Sequence, residues 1–481
     1  MMPITPDILL RLRTISDNSD VRLEPFRFYI NPISPFIYKA AMLDLDIIRA
    51  KGTKITDKDS YSEEIRLIDC IGGAGSNLRG YNPDDIVSQV LETHDPTRNY
   101  WQELTDQLCD LAGPQHAFPA VSGACAVDIA FTLSMLANSQ KSRILIFKGH
   151  YAGKTLISLN GTEDEFTRKP FEPLYWDVVY LDIVSNSAEV ALLKELQSRQ
   201  VALIWFEAMQ GEDLDKVSPA LLDIIFDNEM DCGYFVGIDE ILNGMFRTGP
   251  FVSFNCSRYE PGIVTLSNGL SDSTFPISVA LVSNEIYRRA KRVNEGLVIR
   301  YKNLFLNQLG AHIALNGLTN ANALNMEERV RNIGNLNYSD PPMFFWENTI
   351  MLPVSDCIPV ERSSLLKDIR GEGLHLQLVL DMEKFPLSLF GKTVSELLIS
   401  GLCLSRGHVL QYFCRLLPPL NITDSETQEL AAGIEKALEI SGFSFLMFGV
   451  KHVLIFLYLS LAARLASGAR SLFRKIAGFR R

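Results

Sequence analysis

Residues 262 to 270 read Gly-Ile-Val-Thr-Leu-Ser-Asn-Gly-Leu. The apolar and β-branched run that ends at Leu266 predicts a short buried strand, and the small polar residues after it predict a turn. A second apolar run, Ile277 to Ser283, begins after Phe275-Pro276 and predicts another buried strand. These two strands are the starting point for the predicted sheet.

Upstream of this pair, apolar runs alternate with helical patterns. The predicted strands are Arg143–Phe147, Trp176–Asp182, Val201–Phe206 and Tyr234–Asp239. The predicted helices between them are Gly123–Ala137, Ala188–Arg199 and Pro219–Glu229. Continuous apolar strands separated by helices indicate a mostly parallel sheet covered by helices on both faces. Ligands of such sheets bind at the carboxyl ends of the strands, and Asp239 lies at one of these ends.

The flanking segments are less regular. Residues 1 to 60 read as an irregular lead with helical patches such as Pro35–Lys51, and Asp84–Glu92 predicts a helix. Residues 320 to 340 are polar and helical or linker-like. Pro341–Asn421 predicts a smaller α+β region, which the helix Ser425–Leu438 closes.

Composition excludes several classes of protein. The 481 residues carry a formal charge of -11, whereas a nucleic-acid binder normally presents a basic face. The eight cysteines stand singly and form no pattern with zinc-ligand spacing, so we expect no metal site. Single cysteines and the lack of a secretory signal at the N-terminus favour the cytoplasm.

The C-terminal end differs from the rest of the chain. Residues 443 to 463 are almost wholly apolar, and the residues that follow are basic without an acidic one. The length would suffice to span a bilayer, but Lys451 would be costly near the centre of a span. Two interpretations stay open. The segment 443–481 lies on a membrane surface with its basic residues against anionic headgroups, or its helix packs on the protein's own core.

The run at 262–270 resembles the segment D/G-I-V-T-L-A-K-G-L of class III aminotransferases of the ornithine, GABA and acetylornithine type. Five further segments resemble the family's motifs in order: 68–83, 121–127, 147–155, 206–212 and 237–249; a last one lies at 414–423. The resemblance covers about residues 65 to 440. It implies the α/β architecture of pyridoxal-phosphate-dependent fold type I, with a mostly parallel seven-stranded sheet between helices and a smaller α+β domain built from both chain ends.

On this basis the chain divides into four parts. Residues 1–100 form an N-terminal segment that contributes to the small domain, and residues 101–320 form the large cofactor-binding domain. Residues 321–440 form the C-terminal small domain, and residues 441–481 form the hydrophobic and then basic tail. The resemblance also implies a homodimer, because sites of this family are shared between subunits.

The resemblance assigns roles to several residues. Gly123 and Ala124 open a helix whose amide groups would bind the phosphate of pyridoxal 5'-phosphate or pyridoxamine 5'-phosphate. Tyr151 would stack on the cofactor ring, and Asp239 would bond its protonated nitrogen. Leu242 stands where the family has a glutamine that touches the ring hydroxyl.

Two more residues are expected to bind substrate. Arg415 occupies the position of an arginine that binds a substrate carboxylate in this family. Glu212 occupies the position of a glutamate that neutralises that arginine while the amine end of a substrate is bound. A guanidinium suits this role because its planar fork donates two parallel hydrogen bonds to a carboxylate. The implied substrate is a small amino or keto compound with a carboxylate.

Asn268 occupies the position of the lysine that forms the Schiff base. An amide is neither a nucleophile nor a base at ordinary pH, so the cofactor would be bound without a covalent link and ordinary transamination impaired. Ser271-Asp272-Ser273-Thr274 stands where the family has Gly-Gly-Gly, and Leu304 stands where the family has the threonine of the phosphate loop that the partner subunit contributes. His150 is the candidate replacement base, while Lys148 and Lys154 lie near the stacking segment.

Two hypotheses follow. In the first, the chain binds the cofactor and transfers amino groups without the lysine. In the second, it is a non-catalytic relative that keeps the fold as a binding or membrane-tethered scaffold. Asp239, Tyr151, Glu212 and Arg415 favour the first, and the changes at Asn268, Leu242 and Leu304 favour the second.

Overall fold

The computed structural model describes residues 45–58, 64–174, 176–334, 358, 363, 365–458 and 461. Its strands are β1 Ile47–Lys51, β2 Lys54–Lys58, β3 Glu64–Asp69, β4 His116–Ala120, β5 Arg143–Phe147, β6 Asp177–Leu181, β7 Val201–Phe206, β8 Phe235–Asp239, β9 Ile263–Leu266, β10 Ser278–Val282, β11 Leu366–Glu372, β12 His375–Leu380, β13 Val409–Leu410 and β14 Arg415–Leu416. Its main helices are α1 Tyr100–Ala112, α2 Gly123–Ala137, α3 Ala188–Gln197, α4 Pro219–Cys232, α5 Asn284–Asn303, α6 Gln308–Ala323, α7 Met326–Gly334, α8 Lys392–Gly407, α9 Asp424–Leu438 and α10 Gly442–Tyr458.

The central sheet has seven strands in the order β4-β10-β9-β8-β7-β5-β6. Six strands run in the same direction and β10 alone is antiparallel to both of its neighbours. The prediction of a mostly parallel seven-stranded sheet between helices is therefore confirmed.

Alternate residues of these strands enter two cores, one on each face of the sheet. Along β7, Leu203 and Trp205 pack with α2 in one core, whereas Ile204 and Phe206 belong to the other. Because both faces are covered, each strand is apolar along its whole length, which is the pattern that the sequence shows.

Two smaller sheets flank the central one. The first has the order β1-β2-β3-β13 and pairs Val409 with Ile68 in parallel, so it joins residues from both ends of the chain. The second has the order β11-β12-β14. Helices α8 and α9 pack against each other beside these sheets through apolar residues such as Leu402 and Leu430.

The structure corrects two local predictions and adds one strand. Within the predicted helix Pro35–Lys51, residues 47–51 form β1, and residues 35–44 lie outside the described part. The predicted helix at 84–92 is a short π-helix, Ile86–Leu91. The strand β4 was not predicted; it contains Pro119 and is an edge strand of the sheet, where a residue without an N–H is tolerated. Most of the segment 341–364 and the residues after 461 also lie outside the described part.

Candidate active site

The candidate site lies where the parallel strands of the central sheet end. The loops after β5, β7, β8 and β9 carry, in that order, His150, Glu207, the residues that follow Asp239, and Asn268. The strand pairing sets β8 beside β9, with Thr265 opposite Asp239. Residues far apart in the chain therefore meet at one edge of the sheet.

Asp239 is the buried acid of this edge, with only 3% of its surface exposed. Its Oδ1 atom accepts hydrogen bonds from the Ile241 amide and the Thr265 hydroxyl, each at 3.0 Å. Its Oδ2 atom is buried and has no hydrogen-bond partner among the described residues. Burial raises the pKa of Asp239 to about 7; the charge of His150 opposes this rise and that of Glu207 adds to it.

His150 and Glu207 form a buried pair next to Asp239. The Nδ1 atom of His150 lies 3.0 Å from Oε2 of Glu207, and His150 is 2% exposed. Its Nε2 atom is buried and has no hydrogen-bond partner in the described part of the chain. With the Nδ1 proton donated to Glu207, Nε2 carries the lone pair, and this arrangement allows the imidazole to accept a proton from a ligand.

The structure thus gives His150 a partner that sequence reasoning did not identify. Glu207 was part of a quoted motif but had no role. Its position directly after a buried strand, at the edge where Asp239 also lies, was the signal that could have identified it.

Helix α2 begins at this edge because Ser122 caps it, its side chain accepting a hydrogen bond from the Cys125 amide at 3.3 Å. Gly123 is required for close packing: a Cβ there would lie 2.9 Å from Cδ1 of Ile241 and 3.2 Å from Oγ of Ser267. The first amide groups of a helix have no acceptor within it, so Gly123 and Ala124 present donors to the site.

Tyr151 lies on the loop that packs against the first turn of α2. A Cβ at Gly153 would lie 2.7 Å from Cβ of Ala124, which shows how closely the loop and helix approach. The ring of Tyr151 is 51% exposed, and Nζ of Lys154 lies 6.0 Å from its centroid. The structure therefore brings Tyr151, Gly123 and Ala124 into one region.

Lys148, which lies near the stacking segment, and two further lysines form ion pairs with other side chains. Nζ of Lys148 is 3.9 Å from Asp182, and Nζ of Lys216 is 2.6 Å from Glu372. Nζ of Lys291 is 3.1 Å from Glu295 on α5.

Leu242 fills the space between two backbone segments. A Cβ at Gly75 would lie 2.6 Å from one methyl group of Leu242, and a Cβ at Gly211 would lie 2.7 Å from the other. The leucine therefore brings an apolar side chain to the position where the resemblance expects a polar contact.

Arg415 lies on β14, and its Nη1 atom donates to the carbonyl oxygen of Gly211 at 2.6 Å. This bond brings it next to the loop that carries Glu212. The ion pairs of the described residues do not include one between Arg415 and Glu212, whose side chain is exposed. Glu396 of α8 is the buried acid nearby: burial raises its pKa, and the charges of Lys392 and, to a smaller extent, Arg415 oppose that rise. Sequence reasoning did not identify Glu396.

The turn after β9 holds a second buried acid. Asn268 begins the short 3-10 helix Asn268–Ser271, and Asp272 follows it. The Asp272 carboxylate accepts hydrogen bonds from the backbone amide and Nε of Arg79, both at 2.8 Å. The negative charge at Asp272 is therefore balanced by Arg79 rather than directed at a ligand.

Comparisons with known proteins show the family of this chain. The sequence model described as Aminotransferase class-III matches residues 37–337. The ornithine aminotransferase 1 of Staphylococcus saprophyticus is 24% identical over 82% of this chain and 95% of its own length. The acetylornithine aminotransferase of Mycolicibacterium smegmatis is 28% identical over 49% of this chain and 60% of its own length.

Solved structures show the same fold. The ornithine aminotransferase of Toxoplasma gondii superposes with a TM-score of 0.72 at 18% identity, over 90% of this chain and 98% of that one. The N-acetylornithine aminotransferase of Stenotrophomonas maltophilia superposes with a TM-score of 0.62 at 21% identity, over 82% of this chain and 95% of that one. A Toxoplasma structure contains pyridoxal phosphate, which is the cofactor of class III aminotransferases. With more than half of its residues matched and the sheet and site edge of fold type I in place, this chain belongs to the class III aminotransferase family.

Proposed function

We propose that this protein binds pyridoxal phosphate or pyridoxamine phosphate without a covalent bond and transfers an amino group between an amino donor and a keto or aldehyde acceptor, more slowly than a relative with a lysine. The observation that carries the proposal is the buried Oδ2 atom of Asp239, which has no hydrogen-bond partner in the described structure. A buried carboxylate oxygen without a donor is costly, and a cationic N–H donor from a ligand would relieve that cost.

The residues present fit the cofactor. Asp239 would accept a hydrogen bond from the protonated ring nitrogen, and the exposed ring of Tyr151 would contact the face of the ring. The amide groups of Gly123 and Ala124 would donate to the phosphate, with the helix dipole in support. When bound, the cofactor supplies the exchangeable amino or carbonyl group and a ring that accepts electron density.

The protein's own side chains would move the proton. Because the amide of Asn268 has no basic lone pair, we assign proton transfer to Nε2 of His150, which Glu207 orients through Nδ1. Arg415 would bind the substrate carboxylate through the donors that the Gly211 carbonyl leaves free. Positioned bases of this kind typically accelerate a proton transfer by about 100- to 10,000-fold.

Pyridoxal phosphate titration with absorbance detection tests the proposal. We expect saturable binding to the wild type, no lysine adduct at the site after borohydride treatment, and at least about tenfold weaker binding to Asp239→Ala. Asn268→Lys should gain a borohydride-stable adduct that mass spectrometry locates at position 268. Absence of binding in both the wild type and Asn268→Lys would overturn the proposal and leave the fold as a non-catalytic scaffold.

We also propose a homodimer. Leu304 and Leu306, in the loop between α5 and α6, are 59% and 40% exposed, although both are apolar. An apolar loop of this kind is stabilised when a second subunit covers it. Light scattering should give twice the monomer mass, and Leu304→Glu combined with Leu306→Glu should shift it to the monomer. A monomeric wild type would contradict the proposal.

A further inference from the structure

Helix α10 has two apolar faces, and the body of the protein covers only one of them. Phe445 is fully buried and packs edge-on against Phe390 at 6.2 Å. A Cβ at Gly449 would lie 2.4 Å from the Phe390 ring and 3.0 Å from Leu398, so the helix lies directly on α8 and the turn before it. The interpretation of α10 as a helix packed on the core therefore accounts for one face only.

The opposite face is an exposed apolar stripe. Its members recur at spacings of three and four residues, so they lie on one side of the helix axis. They are from 38% to 71% exposed and comprise Phe443, Met447, Val450, Leu454, Leu457 and Tyr458, with Leu461 beyond the end of α10. Exposed apolar residues on protein surfaces usually stand singly. A continuous row of them therefore indicates a surface that binds a partner or a membrane.

The charge around the stripe has one sign. From Gly442 to Arg481 the chain has seven Lys and Arg residues and no Asp or Glu, whereas the remainder has 39 Lys and Arg against 57 Asp and Glu. Lys451 is exposed and lies at the border of the stripe in the helical projection, where a long side chain can extend from apolar contact to a polar headgroup. Six further basic residues follow α10 in the sequence: Arg464, Arg470, Arg474, Lys475, Arg480 and Arg481.

We infer that the stripe of α10 lies flat in the surface of an anionic lipid bilayer, with Lys451 toward the headgroups, and that the basic composition of the sequence after α10 favours anionic lipids. Charge complementarity favours this occupant over a second copy, because two stripes packed together would bring two basic segments of the same sign into contact. Insertion across the bilayer fits less well. None of the described helices alone is long and apolar enough to span, and the pair α9 and α10 meets that test only together, across a bend of 88°. The packed face of α10 would also have to leave the core.

This inference is independent of the proposed reaction, and vesicle flotation of the full-length protein tests it. We expect the wild type to float with vesicles of phosphatidylcholine and phosphatidylserine, to stay behind with phosphatidylcholine alone, and to dissociate at high salt. Met447→Gln, Leu454→Gln and Leu457→Gln together should weaken binding by about tenfold or more.

A matched control removes exposed apolar residues elsewhere. Val190→Gln with Met230→Gln changes side chains that are 70% and 92% exposed on α3 and α4, and this variant should float like the wild type. Equal flotation of the stripe variant, or no flotation of the wild type with anionic vesicles, would overturn the inference. A second outcome would assign the stripe to a second copy instead. In that case the wild type does not float, light scattering shows it as a larger assembly, and the stripe variant loses that assembly. Unchanged thermal unfolding of the stripe variant checks that the packed face of α10 is intact.

Discussion

Asp239 makes the stability of the protein depend on pH when no ligand is bound. Burial raises its pKa from 3.8 to about 7 in the folded state. The folded state then holds the proton more tightly than the unfolded state. The stabilisation that this proton gives to the folded state is therefore fully present below pH 4 and is lost as the pH rises through 7. We expect the free energy of unfolding of Asp239→Asn to match that of the wild type near pH 4. Near pH 8 it should be higher than that of the wild type by a few kcal/mol, since each pKa unit corresponds to about 1.4 kcal/mol.

Urea unfolding of both proteins across this pH range measures the difference. Saturating pyridoxal phosphate should stabilise the wild type and reduce the gap, because a cationic donor beside Asp239 favours its charged form. If the free energies of unfolding of the two proteins differ by the same amount at every pH, Asp239 is not the source of the pH dependence.

His150 and Glu207 should affect proton transfer without setting cofactor affinity. We expect His150→Gln to slow the conversion of bound pyridoxamine phosphate by a keto acid by about 100-fold or more, because the base assigned to the proton transfer is removed. Glu207→Gln keeps a side chain at the Nδ1 contact but removes its charge, and should slow the conversion by about tenfold. Stopped-flow absorbance gives the rates, and titration should give dissociation constants that change much less than the rates. Equal rates in all three proteins would assign the proton to another group.

The placement of several candidate site residues was predictable because their signals are local. Asp239 ends an apolar strand, and Ser122 precedes a helix whose observed bounds, Gly123–Ala137, match the prediction. The contact between His150 and Glu207 was not predictable in the same way, since 57 positions separate them. Glu396 illustrates the same limit, because its sequence surroundings are those of an ordinary exposed helix position.

The start of α2 links helix stability to the candidate phosphate site. Ser122→Ala removes the hydrogen bond to the Cys125 amide and should cost about 1 kcal/mol in the free energy of unfolding. It should also weaken binding of pyridoxal phosphate several-fold, because the first turn of the helix carries the phosphate donors.

A matched helix separates these two effects. Ser218 caps α4 in the same way, accepting a hydrogen bond from the Leu221 amide at 3.2 Å. Ser218→Ala should therefore lose similar stability and keep the cofactor affinity of the wild type. If both variants lose affinity equally in isothermal titration, α2 has no special role in phosphate binding.

Elements with strong apolar runs were predicted well, including the edge strand β6, whereas β4 and the hairpin of β1 and β2 were not predicted. The strands β5 and β7 were predicted at their observed bounds because both of their faces are buried. The hairpin of β1 and β2 has half-exposed, charged residues, so it lacks a continuous apolar run. Its alternation around Ile55, which is buried, was the available signal.

The two chain ends and the central sheet are joined by buried polar groups that no local pattern indicates. Arg247 is fully buried and donates to the carbonyl oxygens of Gly75, Leu374 and Pro418, so one guanidinium holds three distant segments. The resemblance to the family motif predicts an arginine at this position. The three partners follow only from the folded chain.

The ion pair between Arg79 and Asp272 should be a main contributor to the docking of the N-terminal segment on the large domain. Their side chains are 7% and 3% exposed, and Nη2 of Arg79 lies 2.7 Å from Oδ2 of Asp272. Removal of Arg79 leaves Asp272 buried and unpaired, so Arg79→Met should cost about 3–5 kcal/mol in the free energy of unfolding. Arg79 also pairs with Asp85 at 2.8 Å, so Asp272→Asn leaves it one partner and should cost less. The double variant should lose less than the sum, because it leaves no unpaired charge at position 272.

The exposed pair of Arg258 and Asp223 is the control, and its neutralisation should cost about 1 kcal/mol or less. Additive losses at Arg79 and Asp272 in urea unfolding would show that the two side chains stabilise the protein independently.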